Sequence, residues 1–312
     1  MTPTAHLSPG GPEIRHEAEE AAALFPALMV EAERVAQTVA AGLHGRRRAG
    51  PGETFWQHRA YGFGDPVSAI DWRQSARAAD RLYVRQNEWE AAAAVWIWRD
   101  PSSSLDYSSA RGGPTKRRRA DVLATALAIL LSEAGERVGL MGLSGPPDLV
   151  RGFHGRAAPS RILEALLSPG RPEREDGASS TPPAAQVSAG ARIVLLSDFF
   201  TAPDDIAGAV GTYASMNATG ALLQIVDPAE EDFPFSGRTE FQDTESRDRL
   251  LFGEAGSVGA AYRDRFIAHR RSLEDAARKY DWTFIAHRTD RPAQSALLAL
   301  YSALSDLRML KR

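Results

Sequence analysis

From Ala91 onward, apolar residues fall alternately into short unbroken runs and into sets spaced three and four apart. The first pattern reads as buried strand and the second as a helix with one covered face. Ala91–Arg99 (AAAAVWIWR) predicts a strand, and Lys116–Ala134 a helix whose inner face carries Val122, Leu123, Leu127, Leu130 and Leu131. Arg137–Leu143 is a further strand, and Ser160–Leu167 a helix with Ser160 at its N-cap. Ala191–Leu196 predicts a strand that runs into Asp198, and Asp204–Ala218 a helix. Gly220–Val226 is a strand ending before Asp227-Pro228, and the runs RTEFQD and RLLFG form a hairpin within 236–253. Ala260–Tyr280 (helix), Trp282–His287 (strand) and Pro292–Leu307 (helix) complete the series. Strands and helices alternating at this spacing predict an α/β fold, doubly wound, with a mostly parallel sheet covered on both faces.

The chain before Ala91 reads differently. Residues 1–12 lack periodicity and predict a mobile tail. A helix is expected from Pro26 to Ala41, with Pro26 in its first turn and Gly42 ending it. Residues 43–90 carry scattered glycines together with Trp56, Trp72 and Trp89, an irregular segment too aromatic for a linker. Residues 13–90 are therefore expected to be an N-terminal extension packed on a core formed by 91–312. Residues 169–190, rich in Pro, Gly, Ser and charge, predict a mobile loop.

Composition narrows the function classes. The 312 residues carry 37 Lys plus Arg against 40 Asp plus Glu, and a formal charge of -3 does not fit a general nucleic-acid binder. With no cysteine, disulfides, thiolate metal sites and cysteine nucleophiles are excluded. No run approaches the ~20 apolar residues of a spanning helix, and the start lacks signal-peptide order. A cytoplasmic protein without a direct membrane span is expected. No G-x-x-x-x-G-K-[ST] run is present, so ATP hydrolysis would have to come from a partner. The seven histidines form no H-x-x-x-H pair, and no G-x-S-x-G elbow accompanies the serines.

Ligand sites of open α/β sheets gather where strands end and loops leave the sheet. Two strand ends here carry related chemistry. The first continues into Asp100-Pro101-Ser102-Ser103-Ser104, a D-x-S-x-S arrangement, and another ends in Asp198. One carboxylate and two hydroxyls on alternate residues converge when the loop curls, which offers hard oxygen donors to Mg2+ or Mn2+. The plain alternative is a turn in which these side chains cap backbone groups.

The block Gly62–Arg77 (GFGDPVSAIDWRQSAR), preceded by Arg59 and Tyr61, resembles the signature of the bacterial family catalogued as domain of unknown function 58. Its pattern there is Y-x-x-G-D, then I-D-W, then S-A-R. Gly42-Leu43-His44 and Gly52-Glu53-Thr54-Phe55 fit as well, and the likeness covers roughly residues 35–310. The resemblance implies a von Willebrand factor A-like (Rossmann-like) domain with a metal-ion-dependent adhesion site. Asp100, Ser102 and Ser104 match its first motif and Asp198 its last aspartate. The usual threonine has no counterpart in 142–160, where only Ser144 and Ser160 stand as substitutes. The family further implies a non-enzymatic protein-interaction adaptor working with a MoxR-type AAA+ ATPase in assembly or activation of other proteins. A metal-dependent hydrolase acting on an acidic or phosphorylated substrate, and a scaffold with a decayed adhesion site, are the alternatives.

Three further expectations concern charge and packing. Asp71, Trp72 and Arg77 are expected to be buried against the sheet as a structural clasp. The basic loop Arg46–Arg48 reads as solvated. Lys116–Arg119 also reads as a solvated run, because cations at a helix N-terminus oppose the macrodipole.

Overall fold

A computed structural model describes residues 26–41, 55–60, 72–77, 82–87, 94–142, 150–153, 155–168, 180–242 and 248–309. The elements in chain order are α1 (26–41), β1 (Phe55–Ala60), α2 (Trp72–Ser75), β2 (Tyr83–Asn87), β3 (Ala94–Arg99), α3 (Lys116–Glu133), β4 (Arg137–Met141) and β5 (Val150–Phe153). There follow α4 (Ala158–Leu167), β6 (Arg192–Ser197), α5 (Pro203–Ser215), β7 (Thr219–Val226), α6 (Pro228–Asp232), β8 (Thr239–Gln242), β9 (Arg249–Phe252), α7 (Gly259–Lys279), β10 (Thr283–Arg288) and α8 (Ala293–Met309).

Among the described residues, six strands form the central sheet in the order β10-β7-β6-β3-β4-β5. All its pairs are parallel except β4–β5. Alternation along each strand divides the core in two, as side chains on a pleated strand must point to opposite faces. Val95, Ile97, Val194, Leu196, Ala221 and Leu223 face one cluster, covered by α1, α3, α4 and α8. Trp98, Ile193, Leu195 and Leu222 face the other, covered by α5 and α7. The α/β architecture with helices on both faces is therefore present, and α1 contributes Leu28, Ala32, Val35, Ala36 and Val39 to the first cluster.

The chain leaves β3 through α3 toward β4 on one side, and leaves β6 through α5 toward β7 on the other. Neighbouring strands whose connections diverge open a crevice at their carboxyl ends. Asp100 and Asp198 stand there, with the Asp100 N–H donating to the Leu196 carbonyl at 2.9 Å.

Several expectations change. Trp72 is 61% exposed and Arg77 is exposed, so neither belongs to a buried clasp, while Asp71 lies outside the described residues. The short α2 packs on β2 of the antiparallel β1–β2 pair instead, with Ser75 Oγ accepting from the Tyr83 N–H at 2.8 Å. Strand β5, antiparallel to β4, is added between Leu143 and Ser160, a stretch to which the sequence pattern assigns no element. Helix α4 starts at Ala158 with Pro159 in its first turn, which leaves Ser160 exposed and not at the N-cap. The second half of the 169–190 segment is not a free loop. Pro182 and Ala185 are buried, and the Tyr213 hydroxyl donates to the Pro183 carbonyl. Small apolar residues there cover the Trp98–Met141–Tyr213 cluster. Residues 1–12, Arg46–Arg48, Ser144 and the signature from Tyr61 to Asp71 lie outside the described residues.

Candidate functional site at the carboxyl edge of the sheet

The turn after β3 is shaped by its own polar side chains. Asp100 Oδ1 accepts from the Ser102 N–H at 2.8 Å, and the Ser102 and Ser104 hydroxyls lie 2.9 Å apart. Leu105, fully buried, anchors the single 3-10 turn that follows. From below, Arg99 donates to the Asp100 carbonyl at 3.0 Å and to the Leu166 carbonyl at 3.3 Å, and pairs with Asp121. Asp100 Oδ2 accepts from the Ser197 hydroxyl of the neighbouring strand. Burial raises the Asp100 carboxyl to about 6; the Ser197 hydrogen bond opposes that rise and the charge of Asp198 adds to it.

Asp198 has a different partner. Its Oδ2 accepts from Lys116 Nζ at 2.7 Å, and the same ammonium donates to Glu230 Oε1. Lys116 is 1% exposed at the start of α3. Burial acts to lower its pKa, yet Asp198 and Glu230 together outweigh burial and hold it above the ordinary lysine value. Glu230 is delivered by a capping box: Asp227 Oδ1 accepts from the Ala229 N–H, and Glu230 Oε2 accepts from the Asp227 N–H. The Ser109 N–H reaches the other oxygen of Asp227 at 2.9 Å. The ends of β6 and β7 thus supply two acids to one buried lysine, beside the Asp100 turn that follows β3.

The run Lys116–Arg119 is therefore not solvated. Arg117 donates to the carbonyls of Pro101 (3.2 Å) and Ser102 (2.9 Å) and pairs with Asp106. Arg118 reaches Glu31 of α1, and Arg119 the Thr289 carbonyl. Sequence reasoning misses this because a charge's partner lies far along the chain. A lysine set against the helix dipole, together with the D-x-x-E spacing of Asp227 and Glu230, was the available signal.

Above the lysine, Phe200 is 42% exposed, with its ring centroid 5.0 Å from Nζ; the Tyr107 ring lies at 5.9 Å. Phe199 before it is buried with φ +54, a left-handed conformation that bulky residues rarely take. Its N–H donates to Ser197 Oγ, and its carbonyl is 2.6 Å from His269 Nε2. Strain of this kind persists only where surrounding bonds hold it, and here it turns Phe200 outward.

Asp100, Ser102, Ser104 and Asp198 are brought to one edge, but they do not fit a divalent ion as a set of four. The first three converge as hard oxygen donors. Asp198 is already neutralised by Lys116, whose charge would repel an ion placed on that carboxylate. Among the described residues, no group of three or more His, Cys, Asp or Glu is arranged to hold a metal.

The profile of a family described as a protein of unknown function, DUF58, matches residues 57–276, more than half of the chain. The chain belongs to the DUF58 family. The match takes in β3, α3, β6 and α6, so the whole edge cluster lies inside the DUF58 region. Uncharacterized proteins of Mycobacterium tuberculosis (strain H37Rv) and Mycobacterium bovis are each 26% identical over 275 residues, spanning 78% of this chain and 76% of their own. Two solved structures are distantly similar. An aerotolerance-related membrane protein from Bacteroides fragilis, carrying multiple mutations to serines, is 15% identical with a TM-score of 0.44. The conserved hypothetical protein BatB from Bacteroides thetaiotaomicron is 14% identical with a TM-score of 0.36. Each alignment covers 69% of this chain and 99% of the other, and likeness that loose carries no argument. No helix among the described residues is long and apolar enough to cross a membrane.

Proposed function

We propose that this chain is a non-enzymatic protein-interaction adaptor whose recognition face is the carboxyl edge of its sheet. Its fold in this reading is von Willebrand factor A-like, supported by D-x-S-x-S at the end of β3 beside Asp198 at the switch point. The partner is a MoxR-type AAA+ ATPase, and the work is assembly or activation of other proteins in the cytoplasm. The observation that carries the reading is Phe200, an exposed aromatic held by a strained Phe199 directly over a buried charge cluster. Rigid aromatic residues at the centre of a polar surround are the usual anchors of protein interfaces.

Capture of a purified MoxR-type ATPase by the immobilised chain tests this. Phe200→Asp is expected to weaken capture roughly thirtyfold, the loss of one ~2 kcal/mol anchor, with little change in Tm. Undiminished capture by Phe200→Asp, or no capture by the unaltered chain, would overturn it.

The sequence-based expectation of Mg2+ or Mn2+ on Asp100, Ser102, Ser104 and Asp198 is a second reading. The convergence of the Ser102 and Ser104 hydroxyls beside Asp100 favours it. It requires that chelator abolish capture along with a saturable ion-dependent rise in Tm.

A further inference from the structure

Buried carboxylates need a counter-charge, and acids at two adjacent strand ends need it more than most. At this edge, Asp198 and Glu230 receive it from Lys116. An ammonium has three donors. Two go to these acids, and the rings of Phe200 and Tyr107 flank the ion above. The next residue holds the turn itself. Arg117 binds the carbonyls of Pro101 and Ser102 and the Asp106 carboxylate, so the D-x-S-x-S loop is held in its curled form by a guanidinium. A cation in such a site has two tasks, to neutralise strand-end acids and to organise the loop between them. Lys116 and Arg117 perform both. Their position also explains why α3 begins with positive charge against its own dipole.

We propose that Lys116 is the resident cation of this site, assisted by Arg117, so that the recognition face is assembled without a metal ion. The inference rests on reading this edge as the recognition face, and it says what holds that face together. The ammonium is part of the fold, present at every stage and indifferent to chelators. A divalent ion and Lys116 are mutually exclusive at Asp198, and removing the lysine should open the place to an ion.

The test uses the full chain and the metal ions alone. For the unaltered protein, calorimetry and thermal melts in millimolar Mg2+ or Mn2+, against chelator, should show no saturable binding and no shift in Tm. Lys116→Gln should melt lower in chelator and recover several degrees in Mn2+, as mass action requires of an ion that binds only the folded state. Because one unpaired substitution risks unfolding, Lys116→Gln/Glu230→Gln removes an acid with the base, and this folded double variant should bind one Mn2+ per chain. Saturable Mg2+ or Mn2+ binding by the unaltered chain, lost in Asp100→Ala, would overturn the proposal. A folded double variant without Mn2+ binding would overturn it too. ATPase capture is scored separately: metal-independent melts with no capture reject the interaction reading and leave the resident cation standing.

Discussion

His287 shows how burial at one position reaches the stability of the chain. It is 4% exposed near the end of β10, and its Nε2 has no hydrogen-bond partner among the described residues. Burial lowers its pKa to about 4, the charge of Arg119 adds to this, and Asp290 opposes it. The unfolded chain, with an ordinary value near 6.5, takes up the proton first. The stabilisation is therefore complete above about pH 6.5 and is lost as pH falls toward 4, by about 3 kcal/mol for this group. Urea titrations across that window should show the loss, and His287→Asn should flatten it. An unchanged acid limb in the variant would rule His287 out as its source. Asp100 works in the opposite direction. Its raised carboxyl favours the fold at low pH and ceases to do so as pH rises through about 6.

Among the elements, β6 and β7 approach closely at Gly220. A Cβ on Gly220 would lie 2.1 Å from the Ile193 carbonyl oxygen and 2.9 Å from the Trp282 ring. Gly220→Ala must therefore push apart two central strands, and a loss of about 3 kcal/mol or more is expected in urea unfolding. A near-neutral result would mean that the register at Ile193 and Gly220 is wrong. The β8–β9 hairpin is held in another way. Phe241 stacks on Phe233 and meets Phe235 and Phe252 edge-on, while Leu250 and Leu251 point outward. Its aromatic residues secure it to the body without joining the central sheet.

At the scale of the whole molecule, the two faces of the sheet are covered unequally in chain terms. One is closed by α5 and α7, both close in sequence to the strands they cover. The other needs α1, far ahead of the sheet in the chain. A chain shortened to 91–312 would lose Leu28, Val35 and Val39 and uncover the surface they cover. At roughly 1.5–3 kcal/mol for each fully buried side chain, the cost is about 5 kcal/mol or more, a large part of an ordinary domain's stability. The shortened chain should lose its cooperative melt or become insoluble. A melt within a few degrees of the full chain would show that α1 is dispensable.

Apart from β5 and α6, the strands and helices from β3 onward are legible in the sequence, as are the mostly parallel sheet and the D-x-S-x-S turn beside a second strand-end aspartate. Those features are written in local periodicity and in residues a few positions apart, which survive without knowledge of the fold. The remaining features depend on residues brought together by packing. Lys116 meets Asp198 across 82 positions and Glu230 across 114, so only packing turns a seemingly solvated basic run into the buried cation of the site. Trp72, which reads as a core aromatic by its company in sequence, is exposed on a helix that packs on β2 outside the central sheet. The antiparallel β5 needed the same non-local knowledge. A short strand at a sheet edge has too few residues for its period to register, and its neighbour alone makes it a strand.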